Sequence, residues 1–129
     1  MRRIMALWFM LLAAPLEAQP VIPLTQASVP IAVAAATTQL VAGVTGQSIY
    51  VTAVSVITGA AGGNVQFISG TGAACGTGTA NVTGTYAMAA NGGMTFGAGT
   101  GVVLVVPQGA SLCVITSAAT AGSVAYARF

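Results

Sequence analysis

The chain has 129 residues and four charged side chains, Arg2, Arg3, Glu17 and Arg128, with no His, Lys or Asp. Residues 19–129 carry one charge, Arg128, so they hold no carboxylate pair, no Ser–His or Cys–His pair and no His/carboxylate metal site. A basic footprint able to neutralise several phosphates is also missing, which removes nucleic acid as a partner. With 56% hydrophobic residues, the chain also falls outside the composition of disorder.

The N-terminus opens with Met1-Arg2-Arg3, an apolar run from Ile4 to Leu12 and a small-residue stretch ending at Ala18. This is the pattern of a secretory signal peptide over residues 1–18. The alternative is an uncleaved apolar arm that docks on a neighbouring subunit. The run is shorter than the roughly 20 apolar residues of a membrane helix, so membrane contact is expected only through residues 1–18, if they are retained.

Residues 19–36 contain Pro20, Pro23 and Pro30 and no clear period, which predicts an extended arm. From Thr37 short β-type runs alternate with Gly-rich breaks, and no amphipathic helix pattern occurs. Strands are predicted at 37–44, 48–58, 64–69, 81–88, 94–96, 102–106, 111–117 and 123–129. Strict alternation in the second puts Ile49, Val51, Ala53 and Ile57 on one face and Tyr50, Thr52, Val54 and Thr58 on the other. Residues 70–79 read as a loop. Asn91-Gly92-Gly93 reads as a hairpin turn, Val102 to Val106 as a buried central strand, and Pro107-Gln108-Gly109 as a β-turn. About eight short strands at near-regular spacing predict an all-β antiparallel sandwich, jelly-roll-like, over residues 37–129.

Cys75 and Cys113 are the two cysteines. Behind a leader of secretory type they are expected to form one disulfide, which would pin a loop to a strand and contribute roughly 4 kcal/mol. Two separate thiols, with Cys113 a small core residue, are the alternative. The Gly-rich runs 70–78 and 97–101 lack a GK[ST] ending, a following helix and a downstream acid, so they are loop geometry rather than phosphate cradles. Asn81-Val82-Thr83 matches a glycosylation sequon by chance. The pairs Thr77/Thr79 and Thr83/Thr85 do not recur at a fixed repeat. Most of Tyr50, Tyr86, Tyr126, Phe67, Phe96 and Phe129 are expected in the core. No catalytic, cofactor or metal residue is assigned.

Several segments together carry a family likeness. They are Thr37-Thr38-Gln39-Leu40-Val41, Gly46-Gln47-Ser48-Ile49-Tyr50-Val51, Val65-Gln66-Phe67 leading to Gly70-Thr71-Gly72, and Cys75-Gly76-Thr77-Gly78. Pro107-Gln108-Gly109-Ala110-Ser111-Leu112-Cys113 and Ala121-Gly122-Ser123-Val124-Ala125-Tyr126-Ala127 complete the set. Residues 37–129 resemble small β-sandwich structural proteins of tailed bacteriophages and prophages, of the capsid decoration, head-fibre or tail-tip kind. Both cysteines fall where that pattern has them. The resemblance implies a non-enzymatic virion subunit, a homotrimer associated with other virion proteins; binding of a host-surface glycan, as in host attachment, is a separate class of function. A secreted bacterial surface or filament subunit, built by β-edge or donor-strand contacts, is the alternative.

Overall fold

The computed structural model describes residues 26–98 and 101–129. The leader expected over 1–18, residues 19–25 of the expected arm, and Gly99 and Thr100 of the second Gly-rich run lie outside the described residues.

Ten strands follow one another: β1 (Ala27–Val33), β2 (Thr37–Val41), β3 (Ile49–Thr58), β4 (Gly63–Thr71), β5 (Thr77–Asn81), β6 (Tyr86–Met88), β7 (Gly93–Phe96), β8 (Leu104–Val106), β9 (Ser111–Thr116) and β10 (Thr120–Arg128). They make two antiparallel sheets. Sheet A runs β1-β10-β3, with β7 and β8 on successive stretches of the far side of β3. Sheet B runs β2-β9-β4, with β5 and β6 on the far side of β4. The pairings are nested: β1 with β10, β2 with β9, β3 with β7 and β8, β4 with β5 and β6. Such nesting across two sheets is the jelly-roll arrangement of the expected sandwich.

Valine and isoleucine from the facing sides fill the interior. Ile31, Val41, Ile49, Val51, Val54, Val56, Val65, Phe67, Val106, Leu112, Val114 and Val124 are buried in one cluster. Each such side chain contributes about 1.5–3 kcal/mol by leaving water, so this cluster supplies most of the driving force for folding. Phe67 is the one aromatic ring fully buried among the described residues, edge-on to Phe96 at 6.3 Å. Phe96 and Tyr126 pack against the cluster, whereas Tyr86 and Phe129 are exposed, so the expectation of mostly buried rings is too strong.

Four further expectations are corrected. First, the arm expected over 19–36 enters the sandwich: Ala27–Val33 is strand β1, paired with β10 from Ala27↔Tyr126 to Val33↔Thr120. The extended geometry was readable from its prolines. Pro30 nonetheless belongs to a strand because β1 is an edge, where one side of the backbone has no ladder to break. Second, β5 begins in the segment read as a loop, which ends at Thr79, and the strand expected over 81–88 is split: Asn81 closes β5 and Tyr86–Met88 is β6. The β5 sequence Thr-Gly-Thr-Ala-Asn has no large apolar residue and every residue is exposed, so no hydrophobic period marks it.

Third, alternation fails along β3. Ala53 pairs with Ala125 but Val51 pairs with Tyr126, so Thr52 is an extra residue, a β-bulge. The bulge moves the inward set from Ile49 and Val51 to Val54, Val56 and Thr58, and leaves Ile57 54% exposed. The Thr52 hydroxyl donates to the Ala125 carbonyl at 3.3 Å. Gly97, at φ +79°, allows the close approach on the other side: a Cβ there would lie 2.3 Å from the Thr52 carbonyl oxygen. Fourth, Val102–Val106 is not central. Among the described residues its strand portion, β8, pairs with β3 alone, and Val105 is 53% exposed while Val106 is buried.

The turns behave as their residues dictate but connect different layers. Asn91 takes φ 54° and Gly92 closes on the Ala89 carbonyl, yet this turn carries the chain from β6 in sheet B to β7 in sheet A rather than closing a hairpin. Pro107 and Ala110 close the expected β-turn at 3.1 Å, again between sheets.

Candidate association faces

Register places the outward residues of sheet A in rows. Ala32, Ala121, Ile57 and Gly93 form one row, and Pro30, Ser123, Ser55 and Thr95 the next. Ser28, Ala125 and Ala53 form a third. Past the bulge, Val105 and Tyr50 continue the surface, with the Phe129 ring 5.9 Å from that of Tyr50, whereas Ala127, next in that row, is fully buried. Every residue in these rows is uncharged, and most are small. Where β1, β10 and β3 end together, Ala32, Ala34, Ala119, Ala121 and Ile57 line an open apolar groove of about 470 Å³.

The outer side of sheet B is built differently. Its rows hold Thr37, Ile115 and Gln66, then Gln39, Cys113, Ile68 and Asn81. Polar side chains here are engaged locally: the Gln66 amide donates to the Thr83 carbonyl at 3.2 Å, and the Asn64 backbone N–H donates to the Ser117 hydroxyl at 2.7 Å. Over the middle lies a short 3₁₀ turn, Ala73–Cys75, joined to β9 by the expected Cys75–Cys113 disulfide, Cα to Cα 6.2 Å. The two cysteines and Ile68 form a second buried cluster. Gly70 makes room for it, since a Cβ there would lie 2.7 Å from the Cys75 carbonyl oxygen.

Other motifs have structural duties. Thr83 of the sequon is buried, and its hydroxyl accepts the Phe67 N–H at 3.0 Å. Val82 and Thr83 both donate to the Phe67 carbonyl, which carries the chain from β5 to β6 along β4. Thr77 and Thr79 sit on β5, but Thr83 and Thr85 fall between strands, so the threonine pairs form no continuous ladder. Arg128, the one charged side chain among the described residues, lies 5.3 Å from the centre of the Tyr126 ring, and its backbone N–H donates to the Gln26 amide oxygen at 3.1 Å.

The sheet A face is hidden in the sequence because Ser28, Pro30 and Ala32 fall in the expected arm and strict alternation puts Ile57 on the face of Ile49 and Val51. One signal was present: Val29, Ile31 and Val33 alternate with Ser28, Pro30 and Ala32, the period-2 pattern of a half-buried strand. Against known proteins, no family model, curated protein or solved structure matches this chain.

Proposed function

We propose that the protein is a non-enzymatic structural subunit that acts by association with copies of itself, coating or decorating a phage capsid or tail. The observation that carries this reading is the outer face of sheet A, charge-free and uncovered among the described residues. A surface of Ala, Ser, Pro and Thr with Ile57 and Val105 exposed has few groups that bind water strongly, so covering it costs little desolvation.

Size decides what kind of association fits. Four strands spaced about 4.8 Å apart, each about seven residues at about 3.3 Å, give a face on the order of 400 Å². A standard interface buries about 800 Å² per partner. Sheet A alone therefore supports a weak pairwise contact, and a stable particle needs several contacts per subunit, whose affinities multiply through effective concentration. That favours a subunit of a ring or lattice over a simple dimer. The trimer implied by the phage resemblance is one such arrangement.

Sedimentation velocity of the native full chain over a wide concentration range tests the proposal. Reversible oligomers that dissociate on substitution of Ile57 or Ala121 by Lys are expected. A protein that stays monomeric at high concentration would refute the reading.

The buried disulfide favours a second reading, a secreted surface or filament subunit, because such bonds form and persist in oxidising compartments. The intact mass of the native protein separates the two. A start at Gln19 supports secretion, and a retained Met1 or Arg2 supports assembly without export.

A further inference from the structure

The Cys75–Cys113 unit stands apart from the main core. Its cluster holds one residue besides the cysteines, Ile68, and neither cysteine belongs to the twelve-residue core between the sheets. Leu112 and Val114, on either side of Cys113, face that core instead. The turn it fastens is not held by backbone preference. Ala74 and Cys75 take φ of 48° and 59°, a left-handed region that residues with a Cβ avoid. The strand that follows is weakly anchored: all of β5 is exposed, among the described residues it pairs with β4 alone, and its register breaks between Ser69 and Thr71.

We propose that the Cys75–Cys113 bond is a redox latch: it holds the 72–76 turn and edge strand β5 onto sheet B, and its reduction releases them while the rest of the sandwich stays folded. The reductant is a dithiol. Its first thiolate attacks one sulfur to give a mixed disulfide, and its second thiolate displaces the protein thiolate. Two electrons and two protons thus leave Cys75 and Cys113 as thiols and the reductant as a disulfide. Both sulfurs are buried, so attack follows local opening of the turn. Release uncovers Ile68 and frees the backbone of β4 from Ile68 to Thr71, a new uncharged edge able to pair with another chain. Oxidation is then the step that closes the subunit. This inference does not depend on what covers sheet A.

Peptide-resolved hydrogen exchange of the full chain, oxidised and then kept reduced with dithiothreitol, tests it. Exchange over residues 70–81 should speed up by at least about tenfold, with β3 and β10 unchanged. Unchanged exchange over 70–81 would overturn the proposal, since Ile68 and the hydrogen bonds would then hold the turn alone. Loss of protection throughout the chain would overturn it too, since the bond would then support the whole fold. The double variant Cys75→Ala/Cys113→Ala, where it folds, should reproduce the reduced pattern, and a pattern matching the oxidised protein would count against the latch.

Discussion

Sheet B covers the middle of its outer side with its own chain, leaving Ile115 exposed beside it, whereas among the described residues nothing covers the outer side of sheet A. On sheet B a disulfide-fastened turn lies over Ile68, the Gln66 amide donates to the Thr83 carbonyl, and the Ser117 hydroxyl accepts the Asn64 backbone N–H. On sheet A the corresponding rows are Ala, Ser, Pro and Thr with Ile57 projecting. Neither face carries a charge. Charge therefore does not separate a finished surface from an open one here; the separation lies in whether the chain folds back to cover the sheet. The covered patch around Ile68 and Cys113 has its buried contacts already made, and the outer rows of sheet A have theirs still to make.

The largest expected effect comes from stripping sheet B of its cover. Cys75→Ala with Cys113→Ala removes a cross-link whose chain-entropy contribution is roughly 4 kcal/mol, a large share of the 5–15 kcal/mol that stabilises a typical domain. The midpoint of urea unfolding should fall accordingly. Self-association through sheet A, measured where the variant is folded, should persist. A loss of association in step with the loss of the bond would mean that the two faces are not independent.

Thr83→Val comes next. It removes the hydroxyl that accepts the buried Phe67 N–H and leaves that donor without its partner, a cost of about 1–3 kcal/mol. Equilibrium unfolding should show that loss with sheet A's association unaltered. A change below about 0.5 kcal/mol would mean that the Phe67 N–H finds water, and that the junction between β5 and β6 is looser than its hydrogen bonds indicate.

What could be read in the sequence divides along the same line. The disulfide was legible because two cysteines leave one intramolecular pairing, and the sandwich because Val and Ile recur in short runs between glycines. The bulge at Thr52 was not legible: a single extra residue changes no composition, yet it turns Ile57 away from the face it was expected to share with the buried Ile49 and Val51. Strand β5 was hidden because Thr-Gly-Thr-Ala-Asn buries nothing and so leaves no period. The sheet A face was hidden for a related reason. Hydrophobic periodicity reports the side of a strand that faces the core, and Ala, Ser and Pro on the other side read as punctuation until register aligns them.

Ile57→Lys sharpens the comparison with almost no effect on the fold. The side chain is 54% exposed, so the substitution should move stability by no more than about 0.5 kcal/mol. It places one ammonium beside the apolar groove, and in a self-association each copy brings that charge toward the other. The dissociation constant should rise at least about tenfold, because a buried unpaired charge is costly. Unchanged association would move the contact away from this end of sheet A, toward Val105, Tyr50 and Phe129.

The smallest expected effect is that of salt. Association through charged groups weakens as ions screen them, with a screening length near 8 Å at physiological ionic strength. The sheet A face has no charge to screen, and the Arg128 guanidinium lies over the Tyr126 ring. Sodium chloride should therefore shift the dissociation constant by less than about threefold between low and high ionic strength, as measured by sedimentation equilibrium. Sulfate, which strengthens the burial of apolar surface, should tighten it. A tenfold weakening by sodium chloride would mean that ion pairs hold the copies together. Since Arg128 is the one charged side chain among the described residues, its partner in that case would be Glu17 or a chain terminus, and the bare face of sheet A would lose its place as the contact.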